Sequence, residues 1–595
     1  MERPLHLSFF KRPFMRTFLL SFFQAKRPLL LAGLLSLSPA LYAASPDIII
    51  NGVEGALKTN VKAHNDFSSE KCDLPTWRAR GIERRATENS KQALQALGYY
   101  DAKIKAAYQD TDECWEVIID IQQGKPVLLT NVHLTISGEA NHDKAFDKVR
   151  KHEALKIGQP IEHNHYESVK AALIQTAADR GYLKSELVDH RLEIDLKKHS
   201  AEVYLALESG PRYHFRHVSF EQDILHQSLA DKFIPIDEGE MYESHKLIRF
   251  QQSLSSSGYY RNVRVQSETD HDERAVDVKG TAEPRPRHGY MAGIGYSTDV
   301  GPRVRFGFEN RRANKKGHRY ENEIEASEMR TEYRFKYDIP LGDPHRERVS
   351  LGAGYKRKKT KTSESELYRA GIAYIRELDS GWVATPFLDF EREHFTVADE
   401  KNTTNLVMPG FDLSRTRANH PLYPTRGWRV NSQIRVADEN LASTVSFVQL
   451  TGSGKAIHPL AGGRILVRLE GGATLADSVT RLPASVRFFA GGDHSLRGYG
   501  FERVGPRNDN GDVIGGRHRF TSTVEYDRLF TKTLAWAVFV DGGNAYDSLD
   551  DFEMLYGYGA GLRWRSPIGP IRFDVAVPSD GPDNFRIHIS MGPDL

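Results

Sequence analysis

Long apolar runs are almost missing from this sequence. Of its 595 residues, 39% are hydrophobic and 27% charged, and the mean hydropathy is −0.52. Beyond residue 44 no stretch reaches the roughly 20 apolar residues that a spanning helix needs, which excludes a helical membrane bundle. An excess of one charge is missing too. Lys and Arg number 81 against 79 Asp and Glu, a net +2, so no global field points to nucleic acid. Cysteine is nearly absent. Cys72 and Cys114 form no CxxC centre, and without His partners they make no metal site. HExxH, phosphate-loop and GxSxG patterns do not occur, and the histidines are scattered. Neither an enzyme nor a bound cofactor or metal is expected. What is plentiful is Gly (48), Phe (29) and Tyr (25), a composition open to membrane-spanning strands, which need an apolar residue only at every second position.

Residues 1–44 read as a leader. Lys26-Arg27 precedes an apolar centre, Leu29-Leu30-Leu31-Ala32-Gly33-Leu34-Leu35, and Ala43-Ala44 suits cleavage. The stretch is short and broken by Pro39, which favours a secretory signal over a retained anchor. Lys11, Arg12 and Arg16 lengthen the basic flank, so Met15 is an alternative start. Export leads to a disulfide-permissive compartment, and Cys72 and Cys114 are expected to pair. Closing a loop of that length stabilises a domain by roughly 4 kcal/mol on the chain-entropy view.

Three stretches then share one grammar. Each ends a helical segment on Gly plus aromatic, runs through an alternating strand and stops at a Pro-containing turn. Gly98-Tyr99-Tyr100 leads to Trp115–Ile121 and Pro126. Gly181-Tyr182 leads to Ala201–Leu207 and Pro211. Gly258-Tyr259-Tyr260 leads to Ala275–Val278 and Pro284. The glycines lie 83 and then 77 residues apart, too long a period for a solenoid unit but suited to tandem small domains. Each glycine fits a helix C-cap, where φ must be positive. These units resemble POTRA domains, the βααββ modules of outer-membrane assembly proteins. The expected boundaries are 47–127, 128–211 and 212–284. An exposed edge strand in such a module is able to accept a client segment by strand addition.

From Gly289 onward the period becomes two. Arg330, Glu332, Arg334, Lys336 and Asp338 alternate with Tyr333, Phe335, Tyr337 and Ile339. Ile465, Val467 and Leu469 alternate with Arg464, Arg468 and Glu470. One charged face and one aromatic-rich face describe a water-filled barrel in lipid better than a soluble sandwich. Sixteen segments, from 289–298 to 584–595, predict an antiparallel transmembrane barrel over 285–595. One connection is long: 477–516, the sixth extracellular loop.

That loop holds Gly491-Gly492-Asp493-His494-Ser495-Leu496-Arg497-Gly498-Tyr499-Gly500-Phe501. It resembles the Arg-Gly-aromatic tip of the BamA/TamA/FhaC superfamily, in which the sixth loop folds into the lumen and its Arg meets acidic groups on the wall. By that resemblance Arg497, Gly498 and Tyr499 form a loop lock whose wall partners are Glu525 and Asp541. Parity agrees: Glu525 lies between Val524 and Tyr526, and Asp541 follows Val540, so both carboxylates point inward. Gly498 and Gly500 are expected to let the tip turn sharply. Taken alone, an Arg-Gly-Tyr triplet would favour a mobile surface loop whose Arg meets only water.

The tail, Gly559 to Asp574 with Ser566-Pro567-Ile568-Gly569-Pro570 as its tight turn, is similar to the same superfamily. Gly557-Tyr558-Gly559-Ala560-Gly561 reads as close packing within a strand. In the closing strand, Gly592-Pro593 removes a backbone donor and predicts a weak seam with the first strand. Three POTRA-like units match the TamA-type branch; BamA-type chains usually carry five and FhaC-type pores two with a plug helix. The resemblance implies an outer-membrane protein with periplasmic POTRA domains, engaged in inserting or translocating autotransporters and other outer-membrane proteins. Its implied partners are unfolded clients, outer-membrane lipids and a periplasm-spanning TamB-type protein. The competing expectations are a two-partner-secretion pore and a general insertase.

Overall fold

A computed structural model describes residues 45–595 apart from 152, 567–568, 582–583 and 593–595. The leader, the centre of the Ser-Pro-Ile-Gly-Pro turn and Pro593 therefore lie outside the described residues. The chain divides into two compact units. One comprises residues up to 132 with 154–168 and 192–203; the other comprises 133–153, 169–191 and 204–595.

In the first unit, β1 (Asp47–Asn51) is followed by α1 (Gly55–His64), α2 (Thr76–Gln95), β2 (Lys103–Asp110) and β3 (Trp115–Gln122). The sheet order is β1-β3-β2, with β1 parallel and β2 antiparallel to the central β3. Alternation in β3 buries Trp115, Val117, Ile119 and Ile121 against Val61, Ile82, Ala86 and Leu94 of the two helices. Gly98 takes φ +90° just past α2, and the Tyr99 amide donates back to the Leu94 carbonyl at 2.9 Å, closing the helix end. Cys72 and Cys114 are joined in a disulfide.

The grammar repeats in β4 (Leu128–Ser137), α3 (Asp147–Arg150), α4 (His163–Asp179), β5 (Glu186–Asp195) and β6 (Ser200–Glu208), with sheet order β4-β6-β5. It repeats again in β7 (His214–Glu221), α5 (Gln227–Ala230), α6 (Ser244–Ser256), β8 (Tyr260–Asp270) and β9 (Ala275–Pro284), with order β7-β9-β8. This third module has an aromatic core of Tyr213, Phe215, Phe220, Phe233, Phe250 and Tyr260. Within the second unit it meets the barrel: His226 donates its amide to the Lys315 carbonyl at 2.8 Å, and the Tyr259 hydroxyl donates to the Gly317 carbonyl.

The barrel strands are β10 (His288–Ser297), β11 (Gly301–Asn310), β12 (Arg319–Ser327), β13 (Arg330–Pro340), β14 (Glu347–Lys359), β15 (Ser363–Glu377), β16 (Val383–Val397) and β17 (Glu400–Ala418). They continue as β18 (Gly427–Ala437), β19 (Phe447–Leu460), β20 (Gly463–Leu475), β21 (His518–Leu529), β22 (Leu534–Tyr546), β23 (Leu555–Ser566), β24 (Gly569–Pro578) and β25 (Arg586–Met591). Each pairs antiparallel with the next in one sixteen-stranded sheet. The period-two rows separate as lipid and lumen require. In β22, Trp536, Val538 and Val540 are exposed on the outside, while Ala535, Ala537, Phe539 and Asp541 are buried inside. No described helix is long and apolar enough to cross a membrane.

The closing strand departs from the expected 584–595. Among the described residues β25 ladders with β24 from Arg586 to Met591, and Phe585 is 66% exposed. Alternation alone does not make a strand; a paired neighbour does. Among the described residues β25 also forms no ladder with β10, so the sheet order runs from β10 to β25 without closing.

Candidate functional site

The long connection between β20 and β21 enters the lumen and is buried there through Leu482, Val486, Phe488, Phe489, Ala490 and Leu496. Arg487 binds the loop to itself, its guanidinium donating to the carbonyls of Leu482 (2.8 Å), Ile514 (3.1 Å) and Thr480 (2.7 Å). On the wall, the Ser485 amide donates to Glu393 on β16 at 3.2 Å, and Lys358 of β14 pairs with Glu502.

Arg497 stands at the centre. Its Nε and Nη2 grip Asp541 of β22 as a fork, at 2.7 and 2.9 Å, and its own backbone N–H adds a third bond to Asp541 Oδ2 at 3.0 Å. Nη1 reaches Glu525 of β21 at 2.9 Å and Asp574 of β24 at 3.0 Å. The guanidinium carbon lies 3.3 Å from the ring centre of Phe539, an inward residue of β22. The structure thus brings Arg497, Glu525 and Asp541 together, and adds two residues that motif reasoning missed. Arg563 of β23 donates to Glu525 at 3.0 Å and to Asp574 Oδ1 at 2.5 Å. Two guanidinium groups are interleaved with three carboxylates, all five at most 5% exposed. Buried ions hold only when paired in this manner.

A glycine row makes room for the tip. Gly557, Gly559 and Gly561 alternate along β23 on the face that also carries Arg563. A methyl group on Gly557 would sit 1.8 Å from the Arg497 carbonyl oxygen, and one on Gly561 would sit 1.9 Å from Asp574 Oδ1. The Gly-x-Gly-x-Gly pattern in the sequence is this surface, and its spacing of two was the available signal. Gly498 takes φ +96° while its missing Cβ faces the β24 backbone at 3.0 Å. Gly500, expected to turn in the same way, is not in the left-handed region; the tip needs one such residue, not two. Tyr499 donates its hydroxyl to Asp580 at 2.8 Å, past the end of β24.

At the seam, Gly592 directly follows β25, its amide donating to the Pro570 carbonyl at 3.2 Å. Among the described residues three bonds cross from the first hairpin to the closing strand. Thr298 donates its amide to the Ile589 carbonyl at 3.1 Å, its hydroxyl oxygen accepts from the Ile589 amide at 3.1 Å, and Arg303 reaches the Met591 carbonyl at 3.2 Å. Asp299, Asp493 and His588 gather beside them with potential ligand atoms within 4.8 Å of one another.

Three POTRA-like modules and a sixteen-stranded barrel that holds its long β20–β21 connection inside the lumen define an outer-membrane barrel protein with periplasmic domains. The Omp85 superfamily domain matches residues 288–594, and the chain belongs to that superfamily. A second family model, POTRA domain TamA domain 1, matches residues 47–123. The chain is 23% identical over 600 residues to the outer membrane protein assembly factor BamA of Nitratidesulfovibrio vulgaris, covering 92% of this chain and 75% of the relative. It is 21% identical over 621 residues to BamA of Neisseria meningitidis serogroup B, with 88% and 72% covered. Among solved structures, BamA from Haemophilus ducreyi lacking POTRA domains 1-3 superposes with a TM-score of 0.62 at 17% identity, over 78% of this chain and 99% of that one. The protein lies in the Gram-negative outer membrane, with its POTRA domains in the periplasm, and works without enzymatic chemistry.

Proposed function

We propose that this protein inserts or translocates autotransporters and other outer-membrane proteins, with a TamB-type periplasmic partner, by templating client strands at its seam. The observation that carries this reading is the seam itself. Fifteen neighbouring strand pairs are laddered, whereas among the described residues β10 and β25 are joined at one end only, by the Thr298–Ile589 bonds and Arg303. An unpaired strand edge presents donors and acceptors to a client strand. In hydrocarbon each unsatisfied backbone group costs several kcal/mol, so an edge that pairs the client before it closes on itself lowers the cost of entry. The first strand suits this use: Gly289, Gly293 and Gly295 share one row of β10 with Met291 and Ser297, so three of its five positions carry no side chain. The lock of Arg497 to Glu525, Asp541 and Asp574 holds the opposite side of the seam in register while β10 moves.

Assignment to the TamA-type role is supported by the first-domain match at 47–123 and by three POTRA-like modules. A general insertase is favoured instead by the likeness to BamA along 92% of the chain. Depletion in the native cell separates them. Surface display of an autotransporter should fall severalfold while total porin stays constant; a fall in porin together with arrested growth would establish the general role.

A further inference from the structure

The inner loop grips the closing strand by one imidazole. His588 of β25 is 5% exposed, and both its ring nitrogens meet loop residues. Nε2 lies 3.0 Å from the Gly498 amide, and Nδ1 lies 2.6 Å from Asp493 Oδ1. A backbone amide only donates, so Nε2 carries the lone pair and Nδ1 carries the proton that goes to Asp493. The same Asp493 oxygen accepts from the Thr298 hydroxyl at 2.7 Å, and the Asp493 amide donates to Asp299 Oδ2 at 2.7 Å. Gly492 lies so close to this turn that a Cβ there would stand 2.5 Å from Asp299 Oδ2. Thr298 is also the residue that bonds Ile589 across the seam.

A divalent cation does not suit this cluster, although three ligand atoms converge. Metal at Nδ1 would move the proton to Nε2 and aim it at the Gly498 N–H, donor against donor. The hydrogen bonds as they stand join three elements instead: the turn after β10, the loop and β25. Asp493 and Gly498 flank Arg497, so the grip on His588 is anchored to the most deeply paired residue of the loop.

We propose that Asp493 and His588, with Thr298, form a clasp by which the inner loop holds the seam shut. The closing strand leaves the first hairpin only when the loop releases His588. This deepens the reading of the seam as the client entry and rests on it.

The test places spin labels at Tyr296→Cys and Ile587→Cys, two exposed positions on β10 and β25 outside the clasp, in the full-length protein in phosphatidylethanolamine–phosphatidylglycerol nanodiscs. The native cysteines are paired and take no label. The parent should give one distance population. His588→Leu and Thr298→Val should each add a second, longer by at least one strand spacing, about 5 Å. His588→Gln, whose amide accepts from Gly498 and donates to Asp493, should restore the parent distribution. Unchanged distances in the Leu and Val variants would overturn the clasp. Where His588→Leu does not fold, Asp493→Ala carries the measurement, since it removes the carboxylate that joins His588 to Thr298 and leaves the Thr298–Ile589 bonds in place. A widened seam with undiminished client assembly in cells would keep the clasp and discard the entry reading.

Discussion

Arg497 carries two properties that substitution separates, its charge and its flat fork. Arg497→Ala leaves Glu525, Asp541 and Asp574 buried with one guanidinium fewer, at a cost of about 3–5 kcal/mol. The barrel should still reach the membrane, but the loop should become cleavable between residues 477 and 516 by added protease, and client assembly should drop. Arg497→Lys keeps the charge and loses both the fork on Asp541 and the stacking on Phe539, so partial protection is expected. Protection equal to the parent in the Ala variant would remove the lock. Gly557→Ala acts from the other side: its methyl collides with the Arg497 carbonyl, and the same proteolysis should expose the loop with every charge still present. The sequence made Arg497, Glu525 and Asp541 legible because a local motif met strand parity. Arg563, Asp574 and His588 were not legible, since each becomes a partner only through a cross-strand neighbour set by barrel closure. Asp493 stood inside the quoted motif without a role, for its partners lie in the first hairpin and the last strand.

At the level of the element, alternation located the sixteen strands, and the inward and outward rows follow from it. It overstated the last one, because residues 584 and 585 alternate but lack ladder partners. The small domains are held differently. In the third, Arg216 of β7 forks onto Asp277 of β9 at 3.0 and 2.6 Å and reaches Asp270 of β8 at 2.9 Å, fastening one edge strand to the centre where the β7–β9 register shifts. The Arg216 hydrogen bond holds the Asp277 carboxyl below its usual range; at Asp270, bonds from the Glu273 amide and Arg216 do the same. Both carboxylates thus have folded pKa values below their unfolded ones. Their stabilisation is complete above the unfolded values near 4 and is lost as pH falls through the folded values. Thermal unfolding of the full chain followed at the third domain should therefore show a Tm that is flat near neutrality and declines below about pH 4. Asp277→Asn should lower the neutral Tm and flatten the acid limb. An unaltered acid limb in that variant would assign the dependence to other groups.

Across the whole molecule, stability and opening compete for the same boundary. Each laddered strand pair contributes backbone bonds that hydrocarbon makes costly to break, and these pairs run unbroken from β10 round to β25. Among the described residues the remaining boundary is fixed by contacts at Thr298, Ile589, Arg303 and Met591, so a barrel under strain is expected to part there first. A covalent bridge at that boundary distinguishes an opening required for function from one that merely exists. Cysteines replacing Thr298 and Ile589 should, when oxidised, abolish autotransporter display, and reductant should restore it. A matched bridge replacing Ser414 and Asn431, partners in the β17–β18 ladder, spans a boundary with no reason to move and should leave display unchanged through the same redox cycle. Because both proteins keep Cys72 and Cys114, any effect of reductant on that disulfide appears equally in the two. Full display with the seam bridge verified closed would place client entry elsewhere than between β10 and β25; loss of display from both bridges would mean that the barrel must deform around its whole circumference.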